Sequence, residues 1–274
     1  MGFPPERPAK SQQTNSFKER KLLSLALGMI CSTAAMSAQT ADELVGKNLE
    51  AKGGVDKIRA IKTLKYSGKF QQGSFTAQVS EEAKAPNNIR EMFTVQGMTQ
   101  IQAYDGKTGW QISPFQGRRD PEMLGEDDLR DIVEDADFYG PLVDYKDKGN
   151  TVEYLGHDTV DGDDAYRLKV TLKNGDIVYY YLDPDTYIEI RTERQQFIRG
   201  AVKESQTDLG SYKQVNGVFF PFSIASGPKG RPEQKGTVTI EKMEANIDIP
   251  DSGFKMPAAP ATPAAKPAGK PGVE

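Results

Sequence analysis

The chain holds one histidine, His157, and one cysteine, Cys31. Metal sites built from several imidazoles or thiolates are out of reach with that inventory, and thiol catalysis would rest on Cys31 alone. His157 stands in YLGHDTVDGDDAYRL, which reads as strand, turn and strand. Ser-His-Asp chemistry needs a serine in a recognisable setting, and no G-x-S-x-G nucleophile elbow occurs. His157 therefore reads as a turn-stabilising or exposed residue. The acidic run DTVDGDDAY lacks the alternating carboxylates and twelfth-position Glu of a calcium loop. A second acidic run, from Glu126 to Asp135, has the look of a solvated helix face. SGPKGRPEQKG has glycine and lysine but no strand-to-helix context for binding phosphate, so it reads as a mobile hairpin loop. The expectation is a non-enzymatic protein with no cofactor and no metal.

What remains is apolar and aromatic. DGKTGWQISPF carries the only tryptophan, Trp110, on a short strand after an Asp-Gly turn. VYYYLDPDTYIEI gathers Tyr179, Tyr180, Tyr181 and Tyr187 around a turn, and GVFFPF adds Phe219, Phe220 and Phe222. A sheet with helices laid across it can leave a cavity for fatty or sterol-like ligands. A sheet of this size also needs an apolar inner face with no ligand at all. Trp110 can be a core anchor or a cavity wall.

The elements follow from periodicity. Thr40-Ala41-Asp42-Glu43 is a capping box, with Leu44, Val45 and Leu49 on one face of the helix it opens and Gly53-Gly54 ending it. VDKIRAI predicts a second short turn of helix. From residue 62 the period becomes two. Leu64, Tyr66 and Phe70 form one alternating set and Phe75, Ala77 and Val79 another. Further on come Tyr166, Leu168, Val170 and Leu172, and then Ile188 and Ile190. Such runs are half-buried antiparallel strands. Asn174-Gly175 and Asn216-Gly217 are hairpin signals. More strands are predicted at about 88–95, 98–104, 151–156, 176–183, 203–213, 218–225 and 236–245. One helical island, 121–145, opens at Pro121 and carries Leu129, Ile132, Val133 and Phe138 near helical spacing. About ten strands with two helical segments make a mainly β (α+β) domain, one curved antiparallel sheet with helices on one face.

The ends read differently. Lys18, Arg20 and Lys21 precede the apolar run Leu22–Cys31, and small residues follow, the order of a cleaved secretory signal. The run is short of the ~20 residues a membrane span needs. Residues 1–38 thus read as a signal peptide with a long n-region. Cys31 leaves with it, because Ile30 stands where a lipidation motif needs a small residue. The remaining chain would carry −7 against −4 for the whole. That charge argues against nucleic acid and against general adhesion to anionic lipid. Residues 39–256 are the folded domain, and 257–274 a disordered Pro/Ala-rich tail.

EEAKAPNNIREMF, YDGKTGWQISPF, YYLDPDTYIEIRTE and YKQVNGVFFPF together resemble the LolA/LolB-like periplasmic carriers, more narrowly the outer-membrane lipoprotein-sorting proteins, over about residues 40 to 256. The resemblance implies an unclosed half-barrel with a helical lid and an apolar interior that takes the acyl chains of lipoproteins or other lipids. On that basis Tyr66, Phe70, Trp110, Ile112, Tyr166, Leu168, Ile188 and Ile190 line the acyl cavity. A monomeric periplasmic carrier follows, with handover partners unspecified. The alternative is an envelope interaction or scaffold module whose cavity is filled by side chains. One position departs from the pattern. The family's carrier has an arginine just before the Pro-Asn pair, tied to lid opening and release; here that residue is Ala85, and Arg90 is a different position. The carrier's gating does not transfer.

Export is directly testable. N-terminal sequencing of the protein from its host envelope is expected to find a first residue between Met36 and Thr40, with Gln39 the preferred site. A cytosolic product retaining Leu22 to Cys31 would overturn the signal assignment.

Overall fold

The computed structural model describes residues 39–198 and 200–258. The signal reading of residues 1–38, with Cys31, lies outside them, as does nearly all of the tail.

Fifteen strands form in chain order: β1 Thr63–Gln72, β2 Phe75–Lys84, β3 Asn88–Val95, β4 Met98–Asp105, β5 Gly109–Ser113, β6 Arg118–Met123, β7 Thr151–Val160, β8 Asp163–Thr171, β9 Ile177–Leu182, β10 Glu189–Ile198, β11 Ala201–Gly210, β12 Lys213–Val215, β13 Val218–Phe220, β14 Ser223–Pro228 and β15 Gly236–Ala245. Thirteen make one antiparallel sheet in the order β6-β5-β4-β3-β2-β1-β15-β14-β11-β10-β9-β8-β7, and β12 pairs only with β13. The predicted strand over 218–225 is two strands in two sheets. Pro221 has no N–H to give to a ladder, so pairing stops there. The helical island is shorter than expected. Only Glu126–Asp135 is α-helix, and Pro121 instead sits in β6, an edge strand, where a missing donor costs little.

Three α-helices form among the described residues: α1 Ala41–Ala51, α2 Val55–Ala60 and α3 Glu126–Asp135. The capping box at α1 is present, with the Thr40 side chain and Glu43 bonding each other's backbone N–H. Gly53 follows α1 because a Cβ there would lie 2.3 Å from the Gly217 carbonyl oxygen.

Helix α3 shows that the sheet curves. Its residues bond to β10 and pack on β3 to β5. β4 and β10 are seven places apart in the sheet order, about 34 Å on a flat sheet at ~4.8 Å per strand. A ten-residue helix is only about 15 Å long. The two limbs must bend toward each other, which makes the unclosed half-barrel.

Cross-strand register sorts the side chains into two faces. Tyr66, Glu81, Glu91, Gln102 and Gln111 stand opposite one another on five successive strands and face inward. Their neighbours Lys65, Glu82, Arg90, Ala103 and Trp110 form the next row and face outward. The outward row is covered by residues 246–256, which run across β1 to β5 as a strap and bury it at the Ala103–Trp110 end. Thr63 Oγ1 donates to the Ile247 carbonyl at 2.6 Å, Lys84 Nζ to that of Ile249 at 3.1 Å, and Trp110 Nε1 to that of Phe254 at 2.7 Å. Phe254 is fully buried and Trp110 nearly so.

The strap sets the limit of what can be removed. Ending the chain after Met256 is expected to leave unfolding within about 0.5 kcal/mol of the intact protein, whereas Phe254→Ala is expected to cost about 3–5 kcal/mol. Denaturant unfolding of the two variants checks both.

Candidate functional site

The inner face has a filled half and a hollow half. On β8 and β9, Tyr166, Leu168, Val170, Val178, Tyr180 and Leu182 pack beneath Leu44, Val45 and Leu49 of α1 and Ile58 of α2. Leu168 and Leu182 are fully buried. This is closed core.

The hollow half lies under α3 and the segment 137–141. It is a cavity of about 870 Å³ whose wall includes Pro86, Asn87, Glu134, Asp135, Lys148, Tyr180, Arg194 and Thr207. A smaller one of about 290 Å³ lies along β1 to β4, between Tyr66, Val79, Glu91, Phe93, Gln100 and Val238. At its end Phe70, Phe75 and Phe93 form a ring cluster, with centroids 5.5 to 6.2 Å apart. Gly236 admits this cluster, since a Cβ there would meet the Phe70 ring at 2.2 Å.

Helix α3 is held differently on its two sides. Toward β3–β5 it is greasy: Ile132 and Leu129 pack with Ile89, Leu124 and Tyr104. Toward β9–β10 it is polar. Arg130 Nε donates to Asp176 Oδ2 at 2.9 Å, and its Nη2 bonds the other oxygen of that fully buried carboxylate. Asn174 donates to Glu134 at 2.8 Å, and Gln196 to Asp131 at 2.7 Å. Arg194 reaches up from β10 to Asp135 at 3.2 Å and Glu134 at 3.6 Å.

Beneath α3 the floor is acidic. Burial pushes the Glu81 carboxyl up to about 7, against a hydrogen bond from the Tyr66 hydroxyl. Burial pushes Glu91 up to about 8, and the charges of Glu81 and Asp135 add to the shift. Glu134 is raised to about 7 by burial and by Asp176, with Arg194 and Asn174 opposing. Asp135 is open to the water of the hollow, yet its enclosure still raises it, and Arg194 pulls the other way. The arrangement can hold protons and hydrogen-bonding groups; nothing in it positions a nucleophile.

Of the eight residues assigned to an acyl cavity, four face inward. Tyr66 and Phe70 lie in the hollow half, while Tyr166 and Leu168 belong to the closed core. Trp110 and Ile112 face outward, a correction to their assigned place: Ile112 pairs in the outer row with Ile101, and Trp110 is covered by the strap. Ile190 is corrected likewise. A register shift between Glu189 and Arg191 turns it to the outer face, against Val160, Ala165 and Tyr181. Ile188 lies in the turn between β9 and β10, outside any strand. His157 is exposed and bonds Asp164 at 2.8 Å.

Glu81, Glu91 and Arg194 are not singled out by the sequence, and Glu134, read there as part of a solvated helix face, is corrected: its side chain is 8% exposed and meets Asn174 and Arg194. For two of them a signal existed. Glu81 falls in phase with Phe75, Ala77 and Val79, and Glu91 in phase with Ile89 and Phe93. A carboxylate on the apolar beat of a strand is a buried charge in waiting.

No sequence-family model and no curated protein matches the chain. Solved structures do. A LolA superfamily protein from Nitrosomonas europaea superposes with a TM-score of 0.54 at 16% identity, over 80% of this chain and 98% of that one. The chain has the LolA fold. A putative outer membrane lipoprotein-sorting protein domain from Vibrio parahaemolyticus gives 0.52 at 11%, over 77% and 97%. A DUF1329 family protein from Desulfovibrio piger gives 0.51 at 11%, over 80% and 98%. The LolA-like half-barrel expected from the motifs is therefore present. Its hollow in this chain is more polar than an apolar acyl interior.

The raised carboxyls fix a pH dependence. Between the ordinary glutamate value of about 4.3 and the raised values, the folded chain holds more protons than the unfolded chain, so stability falls as pH rises. Asp208, Asp42 and Asp251 are shifted down by basic partners and withdraw stability only under stronger acid. Thermal unfolding is expected to peak near about pH 5 and decline to about pH 8. Glu91→Gln flattens that decline. A midpoint that rises from pH ~5 to pH ~8 contradicts the buried-acid assignment.

Proposed function

We propose that the chain is a non-enzymatic periplasmic carrier of the outer-membrane lipoprotein-sorting type, which takes the acyl chain of a lipoprotein or other lipid. The observation that carries this reading is the open hollow of about 870 Å³ within a LolA fold. Its volume lies within the range of ligand pockets, about 300–1,000 Å³. A sheet whose purpose was only to be covered would fill that space with side chains, as the β7–β9 half does.

Beside that hollow, in the smaller cavity of about 290 Å³, the end of the acyl chain lies along Tyr66, Val79, Phe93 and Val238 toward the Phe70–Phe75–Phe93 cluster. This is the end that carries the aromatic cluster. The polar group of the cargo then sits toward Arg194, Thr207 and the underside of α3. With Ala85 in place of an arginine, Arg194 is a cation that meets the lid from inside, through Glu134 and Asp135. Arg90 cannot serve, because it points outward and pairs with Glu82.

A second reading is an envelope interaction module. The closed core around Tyr166 and Leu168 and the acidic floor favour it, since neither offers a chain-length groove.

Titrating delipidated protein with a fluorescent fatty acyl probe below its micellar concentration separates the two. The carrier gives saturable binding with a negative heat capacity change, and Phe93→Ala weakens it by about tenfold, the effect of ~1.4 kcal/mol. Trp110 emission is expected to stay constant, because the indole is on the outer face. No saturable binding by folded protein leaves the interaction module.

A further inference from the structure

The antiparallel order puts one set of hairpin tips at one end of the half-barrel. These are the turns after β1, β3, β5, β8, β10 and β14. Large apolar side chains collect there. Phe75, Met98, Phe115, Phe197 and Val202 are all exposed, five of the nine exposed large hydrophobics among the described residues. Phe197 and Val202 are cross-strand partners flanking the β10–β11 turn, and they are 64% and 62% exposed. Nothing in their position on the sheet requires this. Exposed apolar groups gathered at one end mark an interaction site.

Charge is divided between the same two ends. At the tips stand Arg118, Arg119, Lys203, Lys229 and Arg231, with Asp120, Glu204 and Glu233 as the acids among them; Arg118, Lys203 and Lys229 are paired with Glu122, Asp131 and Glu193. Arg119 and Arg231 have no carboxylate partner among the described residues. At the other end Asp161, Asp163, Asp183 and Asp185 surround a surface pocket. The acidic first turn of α3 starts away from the tips, since Leu124 N bonds to the Gly109 carbonyl at the far end of β5. Asp131, farther along α3, already meets Gln196 and Lys203. The net charge of −4 therefore does not describe the tip end.

We infer that the hairpin tips dock the protein directly on an anionic bilayer, with Phe197, Val202, Phe115, Phe75 and Met98 entering the interface and the tip lysines and arginines meeting lipid phosphates. Apolar groups at the headgroup boundary with basic residues beside them are how peripheral proteins hold to anionic membranes. Lys and Arg stems lie along such apolar tips while their charges reach outward. The acidic far end is repelled by the same surface, so docking has one orientation. The Phe70–Phe75–Phe93 cluster of the hollow ends at these tips, so the docked hollow would open to the bilayer.

Co-sedimentation of the full chain with vesicles tests this. Vesicles of phosphatidylcholine alone are compared with vesicles holding an equal part of phosphatidylglycerol. Binding is expected to the anionic vesicles, and to fall away at about 1 M salt, where the Debye length is about 3 Å. The double change Phe197→Ser with Val202→Ser, on exposed side chains, is expected to reduce partitioning severalfold. Arg231→Glu is expected to reduce it by at least about fivefold, the ~1 kcal/mol of one surface cation. Asp185→Asn at the far end leaves it unchanged. Variants that bind as the parent does overturn the inference, because any binding would then come from another segment. So does an absence of binding to anionic vesicles by folded protein, which leaves the tips to a protein partner. The acyl-probe titration uses no vesicles, so the carrier reading and the docking surface can fail separately.

Discussion

The sheet does not close on itself, so something other than strand pairing must hold its limbs together. β6 and β7 are both free edges, and the backbone ladder between them runs through thirteen strands without meeting. Helix α3 supplies a cross-tie. Its grip on β3–β5 is apolar and tolerates sliding, because Ile132 and Leu129 need only stay dry. Its grip on β9–β10 is directional, because the Arg130 guanidinium must meet the fully buried Asp176 carboxylate in a fixed fork. Breaking the second contact strands a buried charge, which is costlier than losing the pair's own attraction. The position of the lid over the hollow is thus set by β9–β10, and its adaptability by β3–β5.

The outer face solves the opposite problem. Here the sheet is covered by its own chain end, and the residues that alternate toward it are the apolar ones on β5. This explains how far the sequence could be read. Period-two alternation located most strands to within a few residues, with β3 and β15 at their expected limits. Turn chemistry was equally legible: Asp105 Oδ1 accepts from the N–H groups of Lys107 and Thr108, and Asn216 and Gly217 both have positive φ.

Alternation gives the period but not which face is inside. Trp110 and Ile112 are apolar against Gly109, Gln111 and Ser113, so the apolar beat was assigned to the interior. In this fold the interior at β5 is polar, and the dry side is under the strap. Only knowledge of where Phe254 returns to the sheet, 144 residues on, could have reversed the assignment. Ile190 failed for a more local reason: the register shift beside it changes the phase of the strand. Tyr66, Phe70, Tyr166 and Leu168 lie on the inner face, because β1 and β8 keep an unbroken register with β2 and β9 and the shifts fall on their other partners, β15 and β7. What divided them into hollow and core was the position of α1, a tertiary fact.

The acidity of the hollow bears on what can occupy it. An acyl chain laid over ionised Glu81 and Glu91 would strip water from two charges and return no partner for either. Raised carboxyls reduce this obstacle, because groups that hold their protons near neutrality are already close to the neutral form a dry occupant requires. Arg194 limits the cost on the lid side, since Glu134 and Asp135 keep a cation whether or not the floor is wet. The same reasoning disfavours an anionic headgroup over the floor and places it instead beside Arg194 and the hydroxyls of Thr207 and Ser226. The hollow is therefore polarised along its length, aromatic at the β1–β3 tips and charged beneath the lid, where Arg194 stands among carboxyl groups, and an amphiphile would fit it in one direction.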